Sequence, residues 1–231
     1  MVRYRGFQRL LRGRVRTSSI RLNWSYMSLP RVTPMPLARF DAPFEHPDWI
    51  FEPKLDGFRA LAYVEVGTCR LVSRNRNAFK TFEPLAKAIG QELAGRSAIL
   101  DGEIVRPGPD GRPMFYALMR RRGPFCFYAF DLLWLDGTDL RGLALSGRKA
   151  LLRKLLPRKA HAVLYVEHVA NGTDLFRLIC ERDMEGVVAK QASTSYTPEA
   201  TTWIKIKSHA YSQAVGREDF FDRRIKASSG R

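Results

Sequence analysis

Apolar and polar residues alternate over 59–66, in a run rich in β-formers. Gly67-Thr68 supplies a turn and the alternation resumes over 69–73, so a hairpin is expected. The period then lengthens to that of a helix. Phe82, Leu85, Ala86, Ile89 and Leu93 share one face, and Thr81 offers an N-cap. Further strands are expected over 98–105, 125–135, 163–169, 185–190 and 202–207. Further helices are expected after Ser146, carrying Leu151, Leu152, Leu155 and Leu156, and after Thr173, carrying Leu175, Phe176 and Ile179. The stretch holding Pro30, Pro34 and Pro36 reads as an extended lead-in rather than a helix. The elements mix without strict βαβ alternation, which predicts an α+β fold of largely antiparallel sheets.

Composition narrows the partners. A chain of 231 residues with 45% hydrophobic content can bury the core of one domain with appendages. A net charge of +16 points to a polyanion. No apolar run approaches the roughly 20 residues of a membrane span. Seven of the positive charges, Arg3, Arg5, Arg9, Arg12, Arg14, Arg16 and Arg21, fall in residues 1–26, which hold no acid; without them the charge is +9. This segment reads as a nucleic-acid-binding arm, an organellar transit sequence, or translation from a start ahead of Met27. Cys69, Cys126 and Cys180 lie far apart in apolar settings and are expected to be reduced and buried. His46, His161, His168 and His209 show no ligand spacing with them, which argues against structural zinc.

The chemistry begins at Lys54-Leu55-Asp56-Gly57. Asp56 and Gly57 suit a tight turn that presents the lysine. Downstream, in order, stand Asp101-Gly102-Glu103, then Phe127 to Leu133, then Glu185 to Lys190, then Trp203-Ile204-Lys205-Ile206-Lys207. In the last strand Trp203, Lys205 and Lys207 share one face while Ile204 and Ile206 take the other. The five segments together resemble the nucleotidyltransferase motifs of ATP-dependent DNA ligases, over about residues 33–217. The texture is that of the bacterial ligases of double-strand break repair.

That resemblance implies an ATP-grasp-like nucleotidyltransferase domain at 29–210, with largely antiparallel sheets flanking a nucleotide groove and helices outside. Residues 1–28 are then a basic tail and 211–231 a short stub. It further implies that Lys54 becomes covalently linked to AMP from ATP, with Mg²⁺ or Mn²⁺ assisting. Attack on phosphorus needs a nitrogen lone pair, and partial burial with Lys205 and Lys207 nearby would favour the neutral amine. By the same resemblance Asp56 belongs to the catalytic turn, and Lys205 and Lys207 clamp phosphate oxygens. Glu103 approaches the ribose, Phe130 stacks on adenine and Glu52 lies at the adenine edge. Glu185 helps hold the metal, and Arg59 and Arg74 meet ribose and the nick phosphate.

Two departures stand out. Arg76 occupies a position that in related ligases is often a small turn residue, and Glu199-Ala200 replace a glycine-arginine pair. Residues 208–231 hold no counterpart of the family's OB-fold, so an OB-fold or end-binding repair protein is expected in trans on nicked or broken duplex DNA, in the bacterial cytoplasm at the nucleoid. An RNA ligase or capping-type nucleotidyltransferase shares the lysine chemistry, and a non-catalytic DNA-binding module is the reading from another class.

Overall fold

The computed structural model describes residues 29–200 and 202–214; the expected basic tail and most of the C-terminal stub lie outside the described residues. One sheet has the order β1 (Ala38–Arg39), β10 (Trp203–Lys207), β9 (Gly186–Gln191) and β2 (Trp49–Pro53). Only the β1–β10 pairing in it is parallel. The other sheet runs β4 (Thr68–Ser73), β3 (Phe58–Glu65), β5 (Ser97–Val105), β6 (Cys126–Leu135) and β7 (Thr138–Asp139), with β8 (Val163–Tyr165) parallel to β6.

Helices cover the outer faces. From α1 (Glu83–Glu92), Leu85, Ala86 and Ile89 pack with Ala60, Ala62, Val64 and Leu71 of β3 and β4. From α3 (Leu145–Leu155), Leu152 joins the same core beside Phe127 and Ala129. α4 (Gly172–Glu181) buries Ile179 against Phe51, Val187 and Ala189 of the first sheet. The short α2 (Phe115–Met119) adds Leu118 to the main core. The opposite sheet faces look at each other across a cleft lined by Glu52, Lys190 and Trp203 from one sheet and Arg59, Glu103 and Phe130 from the other.

The α+β expectation holds, and several boundaries move. The hairpin turn is Val66-Gly67 rather than Gly67-Thr68, because Glu65 pairs with Thr68 and leaves a two-residue loop with φ of 40° and 84°. Thr81 caps nothing. It sits inside a 3₁₀ turn, Lys80–Phe82, and α1 starts at Glu83 with Pro84 in its first turn, where the missing N–H is no loss. The cap of α4 is Asn171, whose side chain accepts from the Asp174 N–H at 2.7 Å, so the helix begins before Thr173. α3 likewise starts one residue ahead of Ser146. The strand expected over 163–169 ends at Tyr165, because the chain then crosses to the other sheet, where Val169 exchanges two backbone hydrogen bonds of 2.9 Å with Phe51. All three thiols are free, but none is as fully buried as expected: Cys69 and Cys126 are half-buried, and Cys180 is exposed on the flank of the apolar stripe of α4. No described helix is long and apolar enough to cross a membrane.

Val66 gives a stability test. A β-branched residue in the left-handed region is strained, and at 75% exposure this one gains little packing in return. Val66→Asn should raise stability by about 1 kcal/mol and Tm by about 2–4 °C. An unchanged or lower melting temperature would show that the turn holds no such strain.

Candidate active site

Lys54 follows β2 directly, and its N–H donates to the Gly186 carbonyl at 2.8 Å. Three residues on, Gly57 enters β3 where a Cβ would lie 2.1 Å from the Ile104 carbonyl oxygen, so only glycine fits. Between them the buried Asp56 carboxylate accepts the Tyr211 hydroxyl at 2.7 Å. The turn is thus fastened at both ends and through its acid. It aims the Lys54 amine at Glu185, with Nζ to Oε2 at 2.5 Å. The other oxygen of Glu185 lies 3.3 Å from Lys207 Nζ. Glu185 is itself placed by Gly186, where a Cβ would meet the Ile206 carbonyl oxygen at 2.1 Å.

Lys205 shares this field. Partial burial and the like charges of Lys207, Lys54 and Arg74 hold it below the ordinary lysine range, against the pull of Glu185. The lysines expected to gather around Lys54 do gather, with a carboxylate among them. Arg74 follows β4 on an exposed turn, and Arg76 in that turn takes a φ of 63°, in the left-handed region where a glycine would be unstrained.

Beside the amine the cleft turns aromatic. With the open space at its mouth it spans about 430 Å³. Phe130 and Trp203 stand edge to face with centroids 5.8 Å apart. The Arg59 guanidinium lies 5.2 Å from the Phe130 centroid and 5.3 Å from that of Trp203. It is locked there by two bonds to Asp101, of 3.0 and 2.6 Å, and Tyr196 donates to the same carboxylate at 2.6 Å. Burial alone would lower Arg59, yet Asp101 holds it above the usual arginine range. Of the aromatic run in β6, Phe127 is wholly core and Phe130 lines the cleft, as the alternation predicts.

Glu52 is nearly fully buried and paired twice, 2.5 Å from Lys149 and 2.5 Å from Lys190. Burial pushes its carboxyl up, but the two lysines hold it below the ordinary range. Lys190 lies 4.1 Å from the Phe130 centroid and 4.0 Å from that of Trp203, and burial with the Lys149 charge brings it down to about 8. Sequence reasoning missed Lys149 and Lys190. A signal existed for the first: Leu145, Arg148, Lys149 and Leu152 are spaced i, i+3, i+4 and i+7, so two cations ride the buried stripe of α3.

Glu103 pairs with Arg59 in the β3–β5 register. Burial, with Glu185 and Asp56 nearby, pushes its carboxyl up to about 8 against the opposing Lys54 and Arg59. Two carboxylates that crowd one another are relieved by a divalent cation, and hard oxygen donors suit magnesium. Among the described residues no cluster of three or more His, Cys, Asp or Glu side chains forms a metal cage. Magnesium needs none where one or two carboxylates act with substrate phosphates.

Residues 37–207, which hold every cleft residue named above except Tyr211, match the ATP-dependent DNA ligase domain family. The multifunctional non-homologous end joining protein LigD of Mycobacterium bovis is 36% identical over 167 residues, covering 69% of this chain and 21% of that protein. The SPbeta prophage-derived DNA ligase-like protein LigB of Bacillus subtilis is 26% identical over 192 residues, covering 80% of this chain and 70% of its own length. A solved mycobacterial DNA ligase D complexed with ATP and MES superposes with a TM-score of 0.69 at 31% identity, over 76% of this chain and 60% of that one. The chain therefore spans about a fifth of the LigD protein. With the family's sheets and its motif residues converging on one cleft, this chain belongs to the ATP-dependent DNA ligase domain family.

Proposed function

We propose that the chain is the adenylation domain of a LigD-type DNA ligase, which loads AMP onto Lys54 and uses it to seal nicked or broken duplex DNA in the bacterial cytoplasm. The observation that carries this reading is the Lys54 amine 2.5 Å from Glu185, at the junction of an aromatic slot and a lysine cluster. The slot has aromatic and aliphatic walls in Phe130, Trp203, Val166 and Val188, with the Arg59 and Lys190 cations against its two rings, and this mix suits a purine. The lysines suit phosphates.

In the first step the Lys54 nitrogen attacks the α-phosphorus of ATP. A P–N bond forms, the α–β phosphoanhydride breaks, and pyrophosphate leaves. Glu185 is placed to take the proton that the ammonium must give up. Lys205 and Lys207 offset the charge spreading over the phosphoryl oxygens. A bound magnesium ion would neutralise the same phosphates and the leaving pyrophosphate, and Glu185 with Glu103 are the residues that would hold it. A 5′-phosphate of DNA then attacks the adenylate, the P–N bond breaks and Lys54 recovers its proton. Finally a DNA 3′-oxygen displaces AMP and the strand is joined. Arg74, exposed beside this field, is placed to meet a backbone phosphate.

Incubation with α-labelled ATP and Mg²⁺ should give a labelled band that survives denaturing electrophoresis. No label from ATP would sink the reading, and label from GTP instead would favour a capping-type enzyme. Tyr211→Phe should slow this labelling about tenfold with the fold intact, because the Asp56 side of the turn loses a bond while the core loses nothing. A labelling rate equal to wild type would remove Tyr211 from the positioning of the turn.

A further inference from the structure

We infer that a basic groove along the edge of the second sheet is a second contact for the phosphate backbone of duplex DNA, separate from the Arg74 and lysine field at the cleft. This inference rests on DNA being the substrate. The groove is broad and open, about 1660 Å³, and is lined among others by Tyr128, Leu164 and Tyr165 of β6 and β8 and by Arg153, Lys154 and Arg158. It is continuous with the cleft through the sheet register. Arg59 pairs with Glu103, Glu103 with Tyr128, and Tyr128 with Leu164. Paired residues share a face, so one row of side chains leads from the cleft to the groove.

The charges are not all accounted for by local structure. Arg153 and Lys154 occupy the last turn of α3, where cations complement the helix dipole, and Arg153 is further offset by Glu167 at 2.5 Å. Arg158 lies beyond the helix, past Pro157, and neither it nor Lys154 forms an ion pair with a described residue. Both are exposed. A repeating anion fits such a pair better than a single compact ligand, because the groove is open along its length and has no buried donor to fix one.

Geometry favours duplex DNA. The row from Arg59 to Leu164 takes three inter-strand steps of about 4.8 Å, about 14 Å in all, which is the rise of about four base pairs. A duplex whose broken phosphate sits over the Lys54 cleft and that follows this row reaches Leu164, in the wall of the groove that also holds Lys154 and Arg158.

The test compares the full chain with its Lys154→Ala/Arg158→Ala variant on a nicked duplex across a salt series. The variant should take label from ATP at the wild-type rate. Its plot of log affinity against log salt should be shallower by about 2, one unit for each phosphate that the variant no longer neutralises. Shortening one arm of the duplex to about three base pairs should weaken the wild type and leave the variant unmoved. An unchanged salt slope with normal labelling overturns the groove and leaves the ligase reading standing. A shallower slope in a chain that takes no label supports the groove and sinks the ligase reading. A loss confined to single strands or to an acidic protein, with duplex affinity unchanged, also overturns it.

Discussion

Lys54→Ala should abolish the covalent AMP adduct, a loss of at least about 10³-fold that reaches background in a labelling gel. The Lys54–Gly57 turn holds this amine by the Gly186 carbonyl, the Gly57 close approach and the Tyr211–Asp56 bond. Lys207, 3.3 Å from the far oxygen of Glu185, is half-exposed at the end of β10 and has no such turn to aim it. Lys54→Arg should fail as completely, because a guanidinium stays protonated and lacks the lone pair that attack requires. Glu185 would then face only a permanent cation. Sealing of a nick that already carries a 5′-adenylate bypasses the step and should survive the alanine change in large part. Label on either variant would take the nucleophile role from Lys54. Loss of sealing on the pre-adenylated nick as well would mean that the substitution collapses the cleft.

What the sequence made legible was the part of the site carried by strands. Lys205 and Lys207 two apart, Phe130 alternating with the core residue Phe127, and Glu103 within an apolar run all follow from a period of two and land where that period puts them. The lysine turn was legible because Gly57 and Asp56 have few other uses side by side. What stayed hidden is the buried charge that holds these residues still. Glu52 and Lys149 stand 97 residues apart in sequence, and Tyr196 and Asp101 stand 95 apart. Hydrophobic periodicity assigns such residues to solvent, and only folding reveals that each has a partner waiting. β2 was missed for the same reason: its apolar run, Trp49-Ile50-Phe51, is only three residues long before the buried acid Glu52 and Pro53 end it.

The largest stability effect is expected from Arg148→Ala, at one such hidden pair. Arg148 and Asp131 are both fully buried and joined by two bonds of 2.8 Å. The guanidinium also donates to the carbonyls of Leu143, at 2.5 Å, and Thr194, at 3.1 Å. It therefore ties α3 and β6 to the segment that carries Tyr196, which in turn holds Asp101 and so Arg59 in the cleft. Alanine leaves a buried carboxylate without its cation and the Leu143 carbonyl without a donor, while the Thr194 carbonyl keeps the Leu145 N–H; the cost should be about 3–5 kcal/mol in urea unfolding. Burial already pushes Asp131 above the ordinary carboxylate range despite Arg148. Without the arginine it should rise further, so that the folded variant binds a proton the unfolded chain does not. Stability of the variant then falls as pH climbs from the unfolded value toward the folded one, and its deficit should be smaller at pH 5 than at pH 8. Replacing both partners, as in Arg148→Met/Asp131→Leu, should recover most of the loss by removing the orphaned charge. A deficit below about 1 kcal/mol, or one that does not change with pH, would mean that water reaches Asp131 and that the pair does not anchor the loop behind Arg59.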